Sequence, residues 1–221
     1  MKKSTFDFEP RLLEHEGQVV RINFCVEKVT ETFPSMGDGE DIQREVFKAF
    51  VLRMPQPLTV DAIKAALIEQ EFNEYKAEAL AAEIVFTGVQ SGELTDNALE
   101  LAKRMVIARI EEYDKSDNVN LFTYDGNPMW LGEALRRSLR ERVEREVKKG
   151  NDVLPLDYNG MEISVPVQQA GPMIEALADY ADECYTHTAR HKAAVSALES
   201  VDAVLAYDFT TGYPEKLSFN V

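Results

Sequence analysis

Hydrophobic and polar positions alternate first along residues 18–30. There Val20, Ile22, Phe24, Val26 and, at its edge, Lys28 alternate with Arg21, Asn23, Cys25 and Glu27. A period of two predicts a β-strand. A second strand is expected over 45–54, EVFKAFVLRM, and the turn-rich stretch Pro34-Ser35-Met36-Gly37-Asp38-Gly39 between them makes a long hairpin. Pro55 and Pro57 end the second strand.

Helical spacing takes over from there. Thr59 is placed to cap a helix over 60–70, Asn73 one to about Val85, and Thr95 a third with Asp96 in its first turn. The third shows Leu99, Ala102, Val106, Ile110 and Tyr113 three or four apart, a single apolar face. Asp114-Lys115-Ser116-Asp117-Asn118 breaks it, and 120–124 reads as a short strand before the turn pair Asp125-Gly126. Met129-Trp130-Leu131 opens a helix that Gly150 stops, and 153–166 forms a small hairpin about Asn159-Gly160.

A long helix is expected from about Pro172 to Leu198. Ala170, Ile174, Leu177, Ala181, Cys184, Thr188, His191, Val195 and Leu198 alternate in steps of four and three, a heptad seam. Leu131, Leu135, Leu139, Val143 and Val147, every fourth residue of the preceding helix, are expected to cover part of it. The remainder falls to Val106 and Ile110 or to a second copy of the chain. Thr188 and His191 weaken the seam for a dimer and favour cover from within. Ser200 is placed to cap a short last helix to Tyr207. Trp130 is expected to be largely buried, and Gly212 to hold a positive φ in a tight reversal.

These elements give an α+β chain in three segments: a β-hairpin module over 1–56, a helical segment over 57–112, and a C-terminal domain over 113–221 built on two long helices and a small hairpin. With 45% hydrophobic residues the chain can build a core, and no apolar run is long enough to span a bilayer. Lys2 and Lys3 are not followed by the apolar stretch of a signal peptide, so the expected location is the cytoplasm where the chain is made. Two distant cysteines, Cys25 and Cys184, read as reduced apolar side chains rather than a disulfide framework.

A net charge of −15 opposes nucleic-acid and anionic membrane surfaces and favours partners with basic patches. Basic charge gathers in one place, Arg136, Arg137, Arg140, Arg142, Arg145, Lys148 and Lys149, with Glu133, Glu141, Glu144 and Glu146 interleaved. A salt-bridged, solvated face is the first reading, and docking on an acidic neighbour, another copy included, the second. Arg136, Arg137 and Arg140, with Tyr213, are the candidate interaction surface.

Candidate chemistry is thin. Cys184, His187 and His191 share a helix face, yet a fourth metal ligand has no clear place and the seam claims two of the three. Asp114, Ser116 and Asn118 imitate the start of a calcium loop, but Val119 stands where glycine is needed, so a capping and turning role is expected. Asp38, Glu40 and Asp41 read as a solvated loop tip. No G-x-S-x-G, H-E-x-x-H, P-loop or G-x-G-x-x-G occurs, and only three histidines are available to a nucleophile. The expectation is no enzyme, no cofactor and no resident metal.

Four stretches carry a resemblance: Tyr113 to Asn120, Met129-Trp130-Leu131, Cys184-Tyr185 with Thr188 to Lys192, and Ala206 to Leu217, whose YDFTTGYPEKL block is the most specific. In order and spacing they resemble a family of Bacteroides-type phage and prophage proteins carrying a phage-associated domain of unknown function, often encoded near tail-fibre or tail-assembly genes. The resemblance covers 113–217, and in the N-terminal half it is loose. It implies a phage context and no catalytic residues. The expected function is a non-catalytic tail-associated structural component or tail assembly factor, in contact with other phage proteins or with itself, in the host cytoplasm or incorporated into the virion. An oligomer is compatible with this. The alternative is a regulatory or host-interaction protein acting in the infected cytoplasm.

Overall fold

The structure, a computed structural model, describes residues 2–34, 42–158 and 160–220. The acidic residues Asp38, Glu40 and Asp41, the hairpin turn they belong to, and Asn159 lie outside the described residues. The element order is β1 (Ser4–Phe6), β2 (Leu13–Glu16), β3 (Val19–Phe33), β4 (Ile42–Pro55), α1 (Val60–Glu69), α2 (Glu74–Gln90), α3 (Ala98–Asp114), β5 (Phe122–Tyr124), β6 (Asn127–Met129), α4 (Glu133–Lys149), β7 (Val153–Tyr158), β8 (Met161–Pro166), α5 (Val167–Ala197), α6 (Val201–Leu205) and β9 (Ser218–Phe219). The chain is α+β and divides into two compact units. One holds Met1–Arg109 with Ala197–Tyr207, the other Ile110–Ser196 with Asp208–Val221.

The first unit is built on an antiparallel sheet in the order β1-β4-β3-β2. The expected long hairpin is β3 and β4, and β1 and β2 extend it on either side. Their short, mixed sequences carry no period-two signal. Alternation in β3 does not run on to Val26. The register shifts between Phe24 and Glu27, so two residues face one on β4, and Cys25 takes a positive φ of 51°. This β-bulge turns Cys25 and Val26 outward, whereas Asn23, on the expected polar side, is fully buried. Thr59 and Asn73 cap α1 and α2 as expected, accepting from Ala62 N and Lys76 N. The cap of α3 is Asn97, which accepts from Leu99 N and Glu100 N, instead of Thr95 two residues earlier. Leu101, Met105 and Ala108 widen the buried face of α3 beyond the expected stripe.

The second unit packs α4 and α5 against two small sheets, β6-β5-β9 and β7-β8. Asp125 and Gly126, both at positive φ (46° and 76°), make the two-residue turn joining β5 to β6. The last strand, β9, returns from the C-terminus to lie parallel to β5. Strand β8 runs directly into α5, which starts at Val167, before the expected boundary at Pro172. Pro172, the sixth residue, lies inside the helix and withholds one backbone hydrogen bond from Gln168 O. Phe122, Leu139, Val143, Leu154, Ile174 and Leu177 anchor the core of this unit.

The seam on α5 is buried within one chain from Ala170 to Thr188, except for half-buried Ala181. Its cover differs from expectation. Only Leu139 (4% exposed) and Val143 (8%) of α4 are buried, while Leu135 (45%) and Val147 (58%) face solvent. A step of four residues advances 40° too far on a helix of 3.6 residues per turn, so such a row winds off the contact face. Strands β5 to β8, the 113–119 turn and the C-terminal segment supply the rest.

Candidate functional site

Three of the stretches singled out in sequence, and residues 208–217 of the fourth, meet in the second unit. The turn that leaves α3 is held by its own short polar side chains. Ser116 donates its hydroxyl to Tyr113 O (2.7 Å), and Asn120 donates Nδ2 to Asp114 O (2.5 Å). Val119 N and Asn120 N both donate to Ser116 O, and Asn118 N donates to Ser116 Oγ. Ser116 and Asn118 therefore work in the turn, as expected. The turn drives Val119 into the interior, where it packs with Tyr180 and Cys184 of α5.

Spacing of four residues along α5 lines up Tyr180, Cys184, Thr188 and Lys192. Tyr180 donates its buried hydroxyl to Val119 O at 2.9 Å. Thr188 donates to Asp114 Oδ1 at 2.8 Å, and its hydroxyl stands 2.9 Å from that of Tyr213. Lys192 meets Glu111 at 2.5 Å. One turn along, His191 Nε2 lies 2.9 Å from Thr211 O.

The C-terminal segment closes over this face. Asp208 Oδ1 accepts from both the backbone N and the hydroxyl of Thr210, which starts the reversal. Gly212 has a φ of +81°, the expected positive value, and a Cβ there would meet His187 Nδ1 at 3.5 Å. The reversal delivers the Tyr213 ring between Tyr113 (centroids 5.5 Å apart) and His191 (5.5 Å, stacked). Phe209 meets Tyr113 edge-on at 5.8 Å. Lys216 donates to Asp117 O at 2.9 Å, and Leu217 packs into both core clusters.

Burial dominates the electrostatics. It raises the Tyr180 and Tyr213 hydroxyls and the Cys184 thiol above their ordinary pKa values. A raised thiol stays protonated at neutral pH and is a poor nucleophile or metal ligand. Cys184 points to Tyr180, while His187 and His191 flank Tyr213, so the three candidate ligands do not converge. Among the described residues no group of three or more His, Cys, Asp or Glu is placed to hold a metal ion. The polar groups of the cluster are bonded to one another across separate segments, an arrangement that locks chain to chain.

The expected interaction residues differ in exposure. Arg136 donates to Leu131 O at 2.6 Å and lies over the Trp130 ring, 5.5 Å from its centre. Trp130 is half-buried, less than expected. Its ring wedges against Tyr180 while Arg136 covers another part of it, and its backbone N–H donates to Tyr158 Oη. Tyr213 is half-buried in the cluster. Arg137, paired with Glu133, and Arg140 are exposed on α4. Sequence reasoning missed the Asp114–Thr188 and Glu111–Lys192 pairs. Thr188 on an apolar seam was the available signal, because a hydroxyl there needs a buried partner.

In comparisons with known proteins, no family model matches the chain, and neither a curated protein nor a solved structure matches it.

Proposed function

We propose that this chain is a non-catalytic phage or prophage protein that works by docking on other proteins, as a tail-associated structural component or a tail assembly factor. The observation that carries the reading is the convergence of the resembling stretches on one interlocked cluster. Asp114, Tyr180, Thr188, His191 and Tyr213 all spend their polar atoms on segments of the same unit. Residues used this way fix a shape, and a fixed shape suits an assembly part. The docking surface in this reading is α4, which shows exposed Leu135 and Val147 among exposed Arg137, Arg140 and Arg145. Partners are other phage proteins or further copies of this chain, met in the host cytoplasm and, for a structural part, carried into the virion.

Quantitative mass spectrometry of purified virions tests this, with pull-down of tail intermediates from infected cells beside it. The reading expects the chain in virions or on tail intermediates at a fixed ratio to tail subunits. Its absence from both, with a stoichiometric host protein captured instead, would favour the second reading, a regulatory or host-interaction protein of the infected cytoplasm. The net charge of −15 is the feature that favours that alternative, since an acidic surface suits basic host partners.

A further inference from the structure

The sheet β6-β5-β9 has an open outer edge at β9. Leu217 O and Phe219 O accept from Thr123 N and Asp125 N of β5. Successive residues of a strand turn their backbone groups to alternate sides, so the N–H and C=O of Ser218, between them, point away from β5. β9 stands last in the sheet, and among the described residues no strand pairs with it on that side. Edge strands are commonly blunted by charge or proline. The opposite edge of the same sheet, β6, has Pro128 at its centre, and β2, an edge in the first unit, carries Glu14, His15 and Glu16. Ser218, Phe219 and the following Asn220 supply neither.

These three residues also line a groove of about 500 Å³, whose other wall is the start of α5. Val165, Met173 and Tyr124, all buried, make its floor apolar, and Phe219, half-buried against Phe122, adds an aromatic side. Gln168, Gln169 and Asn220 are exposed at its rim. No Asp, Glu, Lys or Arg lines it, in a chain where these make up 29% of residues. A charged group entering would lose water and meet no counter-charge, so the groove selects an uncharged occupant. The rim carboxamides each offer donors and an acceptor, as a peptide group does.

We propose that this edge and groove bind an extended peptide segment of a partner protein by strand addition. The segment's backbone pairs with the N–H and C=O of Ser218, and a large aliphatic side chain enters the groove. A free aliphatic molecule would fill the groove and leave those backbone groups unspent, so the open edge favours a peptide. This surface is separate from α4 and does not depend on the docking reading.

The test titrates the full chain with the capped peptide Ac-Thr-Thr-Leu-Thr-Thr-NHMe and follows backbone amide shifts. Saturable shifts are expected at Met173, Ser218, Phe219 and Asn220. The same peptide with lysine or aspartate in place of leucine should bind at least about tenfold more weakly, and isoamyl alcohol, an aliphatic body without a backbone, more weakly than the leucine peptide. Ser218→Pro removes the outward N–H and leaves both carbonyl bonds to β5, so it should weaken binding about fivefold, whereas Ser218→Ala keeps the N–H and the affinity. Ala176→Leu narrows the groove from the helix side, leaves β9 untouched and should weaken binding about tenfold. Any of these results overturns the proposal: no saturable shift at these residues; equal affinity for the lysine or aspartate peptide; isoamyl alcohol binding as tightly as the leucine peptide; a loss in Ser218→Ala as large as in Ser218→Pro; or unchanged affinity in Ser218→Pro or Ala176→Leu.

Discussion

Thr188, in the middle of α5, donates its hydroxyl to the carboxylate of Asp114, the last residue of α3, at 2.8 Å. The same oxygen meets the Tyr213 hydroxyl at 2.9 Å, so one threonine joins three separate stretches of chain. Thr188→Val keeps the shape and removes the hydroxyl. Two polar groups then lose their shared partner in a setting where the Asp114 side chain is only 15% exposed. The expected loss is about 1–3 kcal/mol, read by chemical unfolding, with Thr188→Ser recovering most of it.

Tyr180 gives a second, independent reading of the same lock. Its buried hydroxyl is the donor to Val119 O, and burial raises its pKa well above the ordinary tyrosine value. Tyr180→Phe should cost about 1–2 kcal/mol, because the carbonyl is left without that bond. A loss-free Tyr180→Phe protein would mean that the 113–120 turn does not need this anchor.

Position 212 separates backbone from side-chain effects. At φ +81° a valine is strained whatever room it has, so Gly212→Val should destabilise the C-terminal segment by about 1 kcal/mol or more. Hydrogen exchange should show the loss concentrated in 208–217, with β1 to β4 unchanged.

The two faces of α4 predict opposite outcomes for similar substitutions. Leu139→Ala empties a buried site and should cost about 2–4 kcal/mol, whereas Leu135→Ala, at an exposed site, should change stability by less than about 0.5 kcal/mol. Equal costs would put α4 in a different rotation.

In the first unit, Glu78 carries a pH signature. Burial on its own would raise its carboxyl, but the hydrogen bonds from Arg104 and Lys64 outweigh that and hold it below the ordinary value of 4.5. A carboxyl with a lowered folded-state pKa stabilises above its unfolded pKa, and that contribution disappears as pH falls through the folded value. Glu78→Gln should therefore cost about 1 kcal/mol at neutral pH, discounted for the partly exposed Arg104, and progressively less as pH falls below the ordinary carboxylate range. The check is urea unfolding of both proteins across that range; a gap that stays undiminished in acid would contradict it.

Local chemistry made part of this structure legible in sequence. Thr59, Asn73, Ser200, the Asp125-Gly126 pair and Gly212 act where their side chains or backbone freedom place them, because caps and tight turns are decided within a few residues. The seam on α5 was legible for the same reason. Misreadings arose where distant segments decide. The β3 bulge buries Asn23 and exposes Val26, and no period-two pattern announces an inserted residue. Short β1, β2 and β9 exist only because longer strands offer them an edge. The site shows the same division: Asp114 and Ser116 were readable as turn formers, but the bond from Thr188 to Asp114 spans 74 residues, and a hydroxyl on the apolar seam signalled only that some partner was needed, not which.

The central claim is that the resembling stretches form one lock through Thr188, and a double-mutant cycle on Asp114→Ala and Thr188→Val measures it most directly. Unfolding free energies of the wild type, both single variants and the double variant give the coupling between the two residues. The account predicts a coupling of about 1–2 kcal/mol, with the double variant scarcely worse than the poorer single one. Costs that add to within about 0.3–0.5 kcal/mol would show two independent residues and contradict the lock.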